Sequence, residues 1–171
     1  MTRPFLAAAA AIALAAPAGG AEPGIPRYLE VAAASGLNHT FAGEWTFIVG
    51  GGAAVFDCDG DLRPDIFLAG GAAPSKLFRN ESAVGGDLAF AEVAGDLELT
   101  EVVGAYPIDI DGDGITDLAV LRVGPDLLMR GLGDCRFADA SAEWGFDGLD
   151  LWSTSFAATW ERGEAWPTLA V

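Results

Sequence analysis

Positive charge is scarce in this chain. Nine lysines and arginines stand against 25 aspartates and glutamates, a formal net charge of −16 over 171 residues. Phosphate backbones are bound by basic surfaces, so nucleic acid is excluded as a partner class. Histidine is scarcer still. The single histidine, His39, sits in Asn38-His39-Thr40-Phe41, with no Ser, Cys or Asp pattern around it of the kind a catalytic triad needs, and a structural role is expected for it. A glycine-rich phosphate loop and a nucleophile elbow are both missing. Long apolar runs are almost absent. Pro4 to Ala18 is the exception, and it is too short to span a bilayer comfortably, so no stable membrane span is expected.

That run, preceded by Arg3 and followed by Ala16-Pro17-Ala18 and Gly19-Gly20-Ala21, reads as a cleaved secretory signal over residues 1–21. The protein is therefore expected to be exported, to a periplasmic or extracellular location. Calcium is available there, and thiols can oxidise. Cysteine is limited to Cys58 and Cys135. An even pair in such a compartment is open to a mutual disulfide, to two separate thiols, or to partners elsewhere.

What the chain has in quantity is glycine, 23 residues, recurring between short apolar runs within a 51% hydrophobic composition. This pattern favours many short strands over long helices. The runs repeat. Gly52-Ala53-Ala54-Val55-Phe56-Asp57-Cys58-Asp59-Gly60-Asp61, continuing to Pro64-Asp65-Ile66-Phe67-Leu68, is matched 52 residues later, without a gap, by Gly104-Ala105-Tyr106-Pro107-Ile108-Asp109-Ile110-Asp111-Gly112-Asp113, continuing to Thr116-Asp117-Leu118-Ala119-Val120. Leu77-Phe78-Arg79-Asn80 then answers to Leu128-Met129-Arg130-Gly131, and Phe90-Ala91-Glu92-Val93 to Phe137-Ala138-Asp139-Ala140. Each unit reads as four strands, near 52–57, 65–70, 75–80 and 89–94 in the first copy and 104–109, 117–123, 126–131 and 136–140 in the second. Four strands in a repeated unit of about 51 residues is the arithmetic of a β-propeller blade. The fold class expected is all-β, a partial ring of four-stranded antiparallel blades. A third copy starts at Phe156-Ala157-Ala158-Thr159 and reaches its second strand at Thr168-Leu169-Ala170-Val171. The chain divides into the signal at 1–21, an N-terminal segment at 22–48, and repeats over 49–171. Within the N-terminal segment, Tyr28-Leu29-Glu30-Val31 resembles a fourth strand and is expected to complete a closing blade. A propeller needs at least four blades, so the chain is expected to be the first part of a longer protein.

Between strands one and two lies an acidic loop. Asp57, Asp59, Asp61 and Asp65 fall at positions 1, 3, 5 and 9, and Asp109, Asp111, Asp113 and Asp117 repeat the spacing. Carboxylates this close repel unless a cation sits among them. Position 7, Arg63 or Ile115, can add a backbone carbonyl. Hard oxygen donors in a flexible loop favour Ca²⁺ over Mg²⁺, and two calcium sites are expected. An EF-hand would need Glu at position 12, where Leu68 and Val120 stand, and helical flanks. The third loop has lost its acids to Trp160, Arg162 and Thr168, keeping only Glu164, and is assigned no metal. Strand alternation puts Cys58 and Cys135 on one side of the ring, where a bond would tie neighbouring blades.

These residues resemble the FG-GAP/VCBS repeat class of calcium-binding propellers, and more closely the bacterial relatives of cartilage acidic protein 1, which often carry an ASPIC/UnbV domain after the propeller. The likeness rests on Gly50-Gly51-Gly52-Ala53 leading into Asp57-Cys58-Asp59-Gly60-Asp61, on Leu77-Phe78-Arg79-Asn80 and on Phe90-Ala91-Glu92-Val93. It implies a seven-bladed exported propeller used for adhesion or as a binding platform for a protein or glycan, with no catalytic activity. The competing reading makes the chain the propeller part of an extracytoplasmic enzyme whose catalytic residues lie elsewhere. The five tryptophans are expected to fill gaps between blades rather than to stack on sugars.

Overall fold

The structure is a computed structural model that describes residues 25, 27–48 and 50–171. It divides into two compact units, Met1–Glu30 and Val31–Val171. The expected signal at 1–21 lies outside the described residues. In the first unit, residues 25 and 27–30 carry no regular structure, and Ile25, Tyr28 and Leu29 are exposed. Tyr28–Val31, expected as the outer strand of a closing blade, carries no regular structure here.

The second unit opens with a 3-10 turn at Trp45–Phe47. Its first sheet runs in the order β1 (Ala53–Phe56), β2 (Asp65–Leu68), β3 (Lys76–Asn80) and β4 (Phe90–Val93), each pair antiparallel. The second sheet repeats it with β5 (Val102–Ile108), β6 (Asp117–Pro125), β7 (Leu127–Gly131) and β8 (Phe137–Asp139), and β9 (Asp150–Trp152) joins the far end of β6. A third sheet is the hairpin β10 (Ala157–Thr159) and β11 (Thr168–Ala170). The chain is all-β, built of four-stranded antiparallel sheets with the form of propeller blades.

Period-2 patterning explains β1, where Ala54 and Phe56 are buried while Ala53 and Val55 face out. β6 differs. Leu118, Ala119, Val120 and Leu121 are all buried, as expected of a strand covered on both faces. Leu118 and Val120 meet Phe56, Phe67 and Leu77 of the first sheet, with Met129 and Phe137. Ala119 and Leu128 pack on the other side with Ile110, Trp144, Phe146 and Leu169. Each large side chain so buried contributes about 1.5–3 kcal/mol. The blades therefore stack through apolar faces.

Between blades the backbones also touch. The Gly52 amide donates to Val103 O at 2.9 Å, and a Cβ on Gly52 would lie 2.9 Å from Gly104 Cα. Gly71, just past β2, bridges to Val102 of β5. One blade on, Val123, Gly124 and Pro125 of β6 pair with Trp152, Leu151 and Asp150 of β9. The second strand of each blade thus receives the entry segment of the next. That is why β6 runs two residues beyond the expected 123. Ser75 and Asp126, 51 residues apart and both buried, secure the outgoing chain. Ser75 Oγ donates to Leu97 O at 2.7 Å, and Asp126 Oδ2 accepts from Ser153 Oγ at 2.6 Å.

The tryptophans meet the expectation in part: Trp144 packs between the second sheet and Leu169 of the third, and its ring meets that of Trp166 at 6.1 Å. Trp144 is half-buried against the second sheet, whereas Trp45, Trp152, Trp160 and Trp166 are exposed. Trp45 and Trp152 meet edge to face instead. Trp45 and Trp152 precede or open a blade, whereas Trp160 and Trp166 lie in the loop between β10 and β11. His39 places Nε2 2.8 Å from Ala69 O, a link from the N-terminal segment to the end of β2. Among the described residues no helix is long and apolar enough to cross a membrane.

Candidate metal centres

The two acidic loops share one hydrogen-bond frame. In the loop between β1 and β2, Asp57 Oδ1 accepts the amide of Gly60 at 2.8 Å, and its Oδ2 accepts that of Leu62 at 2.8 Å. In the loop between β5 and β6, Asp109 takes Gly112 at 2.8 Å and Gly114 at 3.1 Å. Asp59 and Asp111 accept from Asp61 and Asp113, and these in turn accept from Arg63 and Ile115. Such side-chain-to-backbone bonds make a tight Asx-type coil. The coil needs left-handed backbone twice. Gly60 and Gly112 supply it at position 4, and Leu62 (φ 65°) and Gly114 (φ 86°) at position 6.

Position 9 closes each loop from inside. Asp65 is fully buried, with Oδ2 accepting from the Cys58 amide and Oδ1 from the Asn80 amide, both at 2.8 Å. Asp117 is equally buried and accepts from Ile110 and Gly131 at 2.8 Å. Burial pushes both carboxyls above their ordinary range. The paired amides pull back, and the neighbouring charges of Asp59 and Asp61, or of Asp111 and Asp113, push up further. Asp57 is the opposite case. What little burial it has acts upward, but the amides of Leu62, Gly60, Asp61 and Asp59 outweigh it and hold the carboxyl below the usual range.

Ligand oxygens of Asp57, Asp59 and Asp61 lie within 4.8 Å of one another, as do those of Asp109, Asp111 and Asp117. Asp65 is not drawn into the first group, nor Asp113 into the second. These are clusters of hard oxygen donors that could hold a metal ion. Cys58, Cys135 and Asp65 also converge, but the two sulfurs are bonded to each other and form no ligand set. In the third loop Thr168 Oγ1 donates to Glu161, and no acidic group of this kind gathers there among the described residues.

Two arginines enter the loops in ways that spacing does not reveal. Arg63, expected to lend only a carbonyl, also pairs its guanidinium with Asp61 and donates Nε to Asn80 O at 3.1 Å. Arg130, from β7, places Nε 3.1 Å from Asp111 Oδ2. It grips Glu143 with both terminal nitrogens and stacks over Trp144 at 4.9 Å. Its repeat equivalent, Arg79, goes to Glu81 instead, so the alignment of the units carries no signal for the Asp111 contact.

The first loop is tied to the second blade. A disulfide joins Cys58 to Cys135, with Cα atoms 4.6 Å apart, and the Cys135 amide donates to Cys58 O at 2.9 Å. Next to it, Asp96 after β4 accepts from Arg136 Nε at 2.6 Å and from the Phe137 amide at 3.0 Å.

A family model described as an FG-GAP-like repeat matches residues 57–120. The matched stretch begins at the first aspartate of one loop and runs through the whole of the other. A search of curated proteins found no match.

Proposed function

We propose that this chain is an exported, calcium-binding FG-GAP-type repeat protein whose blades act as a non-catalytic module for binding or adhesion, with a protein or glycan as ligand. The observation that carries the reading is the repeated loop frame, in which two coils one blade apart gather three carboxylates each. Asp57, Asp59 and Asp61 would hold one ion and Asp109, Asp111 and Asp117 the other, with Asp65 and Asp113 beside them and the carbonyls of Arg63 and Ile115 as further donors. Calcium would supply charge neutralisation, which fixes the loops and hence the blade edges. All-oxygen donors of variable number suit calcium better than magnesium. The adhesive or platform role is taken from the resemblance of the sequence motifs to bacterial relatives of cartilage acidic protein 1, and the Cys58–Cys135 disulfide supports an oxidising compartment. Asp65 and Asp117, whose oxygens are engaged by backbone amides, suit a structural role in the loops.

Calcium should raise the melting temperature of the full chain relative to chelator. At 100 times Kd each site adds about 2.7 kcal/mol. Calorimetry should count two ions, and Asp59→Asn or Asp111→Asn should each remove one. An unchanged melting temperature with no heat of binding refutes the reading.

A further inference from the structure

We infer that the first acidic loop is coupled to the redox state of the chain through the Cys58–Cys135 disulfide, while the second loop is not. This rests on the reading of the loops as cation sites. Cys58 is position 2 of its loop, flanked by Asp57 and Asp59. It is anchored three ways. Its amide donates to Asp65 at 2.8 Å, its carbonyl accepts from the Cys135 amide at 2.9 Å, and its sulfur is bonded to the neighbouring blade. Two of the three gathered carboxylates thus hang from residues on either side of a covalent anchor. Position 2 of the second loop is Ile110. Its amide makes the same bond, to Asp117 at 2.8 Å, but its side chain only packs among Ala119 and Leu128. The two loops share one frame and differ in this link.

Reduction by a dithiol breaks the S–S bond. Two electrons and two protons pass to the Cys58 and Cys135 sulfurs, and the dithiol leaves as its cyclic disulfide. Position 2 then keeps its two backbone bonds and loses its covalent hold, so the spacing of Asp57 and Asp59 is no longer fixed to the second blade. Linkage makes the effect reciprocal. Whatever factor reduction takes from the affinity of the loop, the cation returns as resistance of the disulfide to reduction.

The test uses the full chain and calcium alone. Asp111→Asn isolates the first loop and Asp59→Asn the second. In the first background, Cys58→Ile with Cys135→Ala should weaken calcium binding about tenfold, within the usual range of coupling between sites. In the second background the same pair should leave affinity unchanged, which also shows that the variant is folded. On the unmutated chain, equilibration with dithiothreitol followed by alkylation and mass spectrometry should show calcium shifting the balance about tenfold toward the disulfide. Calcium bound with the same reduction equilibrium in its presence and absence overturns the coupling alone. A chain that binds no calcium in either redox state overturns the cation reading and this inference with it.

Discussion

Asp65 and Asp117 stand at the same place in successive blades, each buried and each spending both carboxylate oxygens on two backbone amides, one in its own loop and one on the third strand. The pair explains why the loops hold one shape despite different side chains at positions 2, 6, 7 and 8. Removing such an acceptor leaves two buried donors unmet, at about 1–3 kcal/mol each. Asp117→Ala should therefore cost about 3 kcal/mol by urea denaturation in chelator, and Asp117→Asn, which keeps one acceptor, about half that. A loss below about 1 kcal/mol would mean that the amides find other partners.

Leu62 offers a gain. Its side chain is 91% exposed, yet its backbone is left-handed at φ 65°, where the other loop has Gly114. An L-residue there carries about 1–2 kcal/mol of strain, part of which glycine returns as entropy lost on folding. Leu62→Gly should raise the thermal midpoint by a degree or more. A lower midpoint would place the Leu62 side chain in contacts of its own.

Gly52 and Gly104 are equivalent in sequence and opposite in tolerance. A Cβ on Gly52 meets the neighbouring backbone at 2.9 and 3.2 Å, whereas one on Gly104 meets only a Tyr106 ring atom at 4.0 Å. Gly52→Ala should destabilise by about 1–3 kcal/mol through overpacking against rigid backbone. Gly104→Ala should be close to neutral in the same denaturation assay. Equal losses would show that strand propensity, rather than blade contact, sets the requirement.

Asp96 gives a pH signature. The hydrogen bond from Arg136, aided by the Phe137 amide, holds its carboxyl below the usual range. A depressed folded-state pKa contributes stability that is fully present above the unfolded pKa, near 3.9, and is lost as pH falls through the folded value. The difference in urea midpoint between the parent chain and Asp96→Asn should therefore be seen at pH 6 and shrink toward pH 2. A difference that is constant across that range would assign the effect to packing.

The strands of the two full blades were legible because local signals agreed: apolar alternation, turn glycines and a 52-residue echo. The structure shortens the expected 52–57 to Ala53–Phe56 and confirms the antiparallel order. Pairings that depend on a neighbouring blade were not legible. β9 and the last two residues of β6 exist because they meet across a blade boundary, and no window of sequence contains that contact. The acidic loops show the same division. Spacing identified all eight aspartates as belonging to two loops, but not where each oxygen points, so the inward turn of Asp65 and Asp117 and the reach of Arg130 to Asp111 emerged only from the fold. The tryptophans divide in the same way: Trp144 and Trp166 meet between blades as ring size suggests, while the exposure of Trp45, Trp152 and Trp160 depends on loop and entry positions that ring size does not specify.

The hand-over at Gly71–Val102, and again at β6 with β9, has a consequence for how such chains grow. Each unit offers an acceptor edge at the end of its second strand and a donor segment at its own entry, so the contact is head-to-tail rather than self-complementary. A gene segment cut near residue 102 and again near 150 carries one of each. Its two ends match any neighbour built alike, so tandem duplication lengthens the array without requiring a new interface.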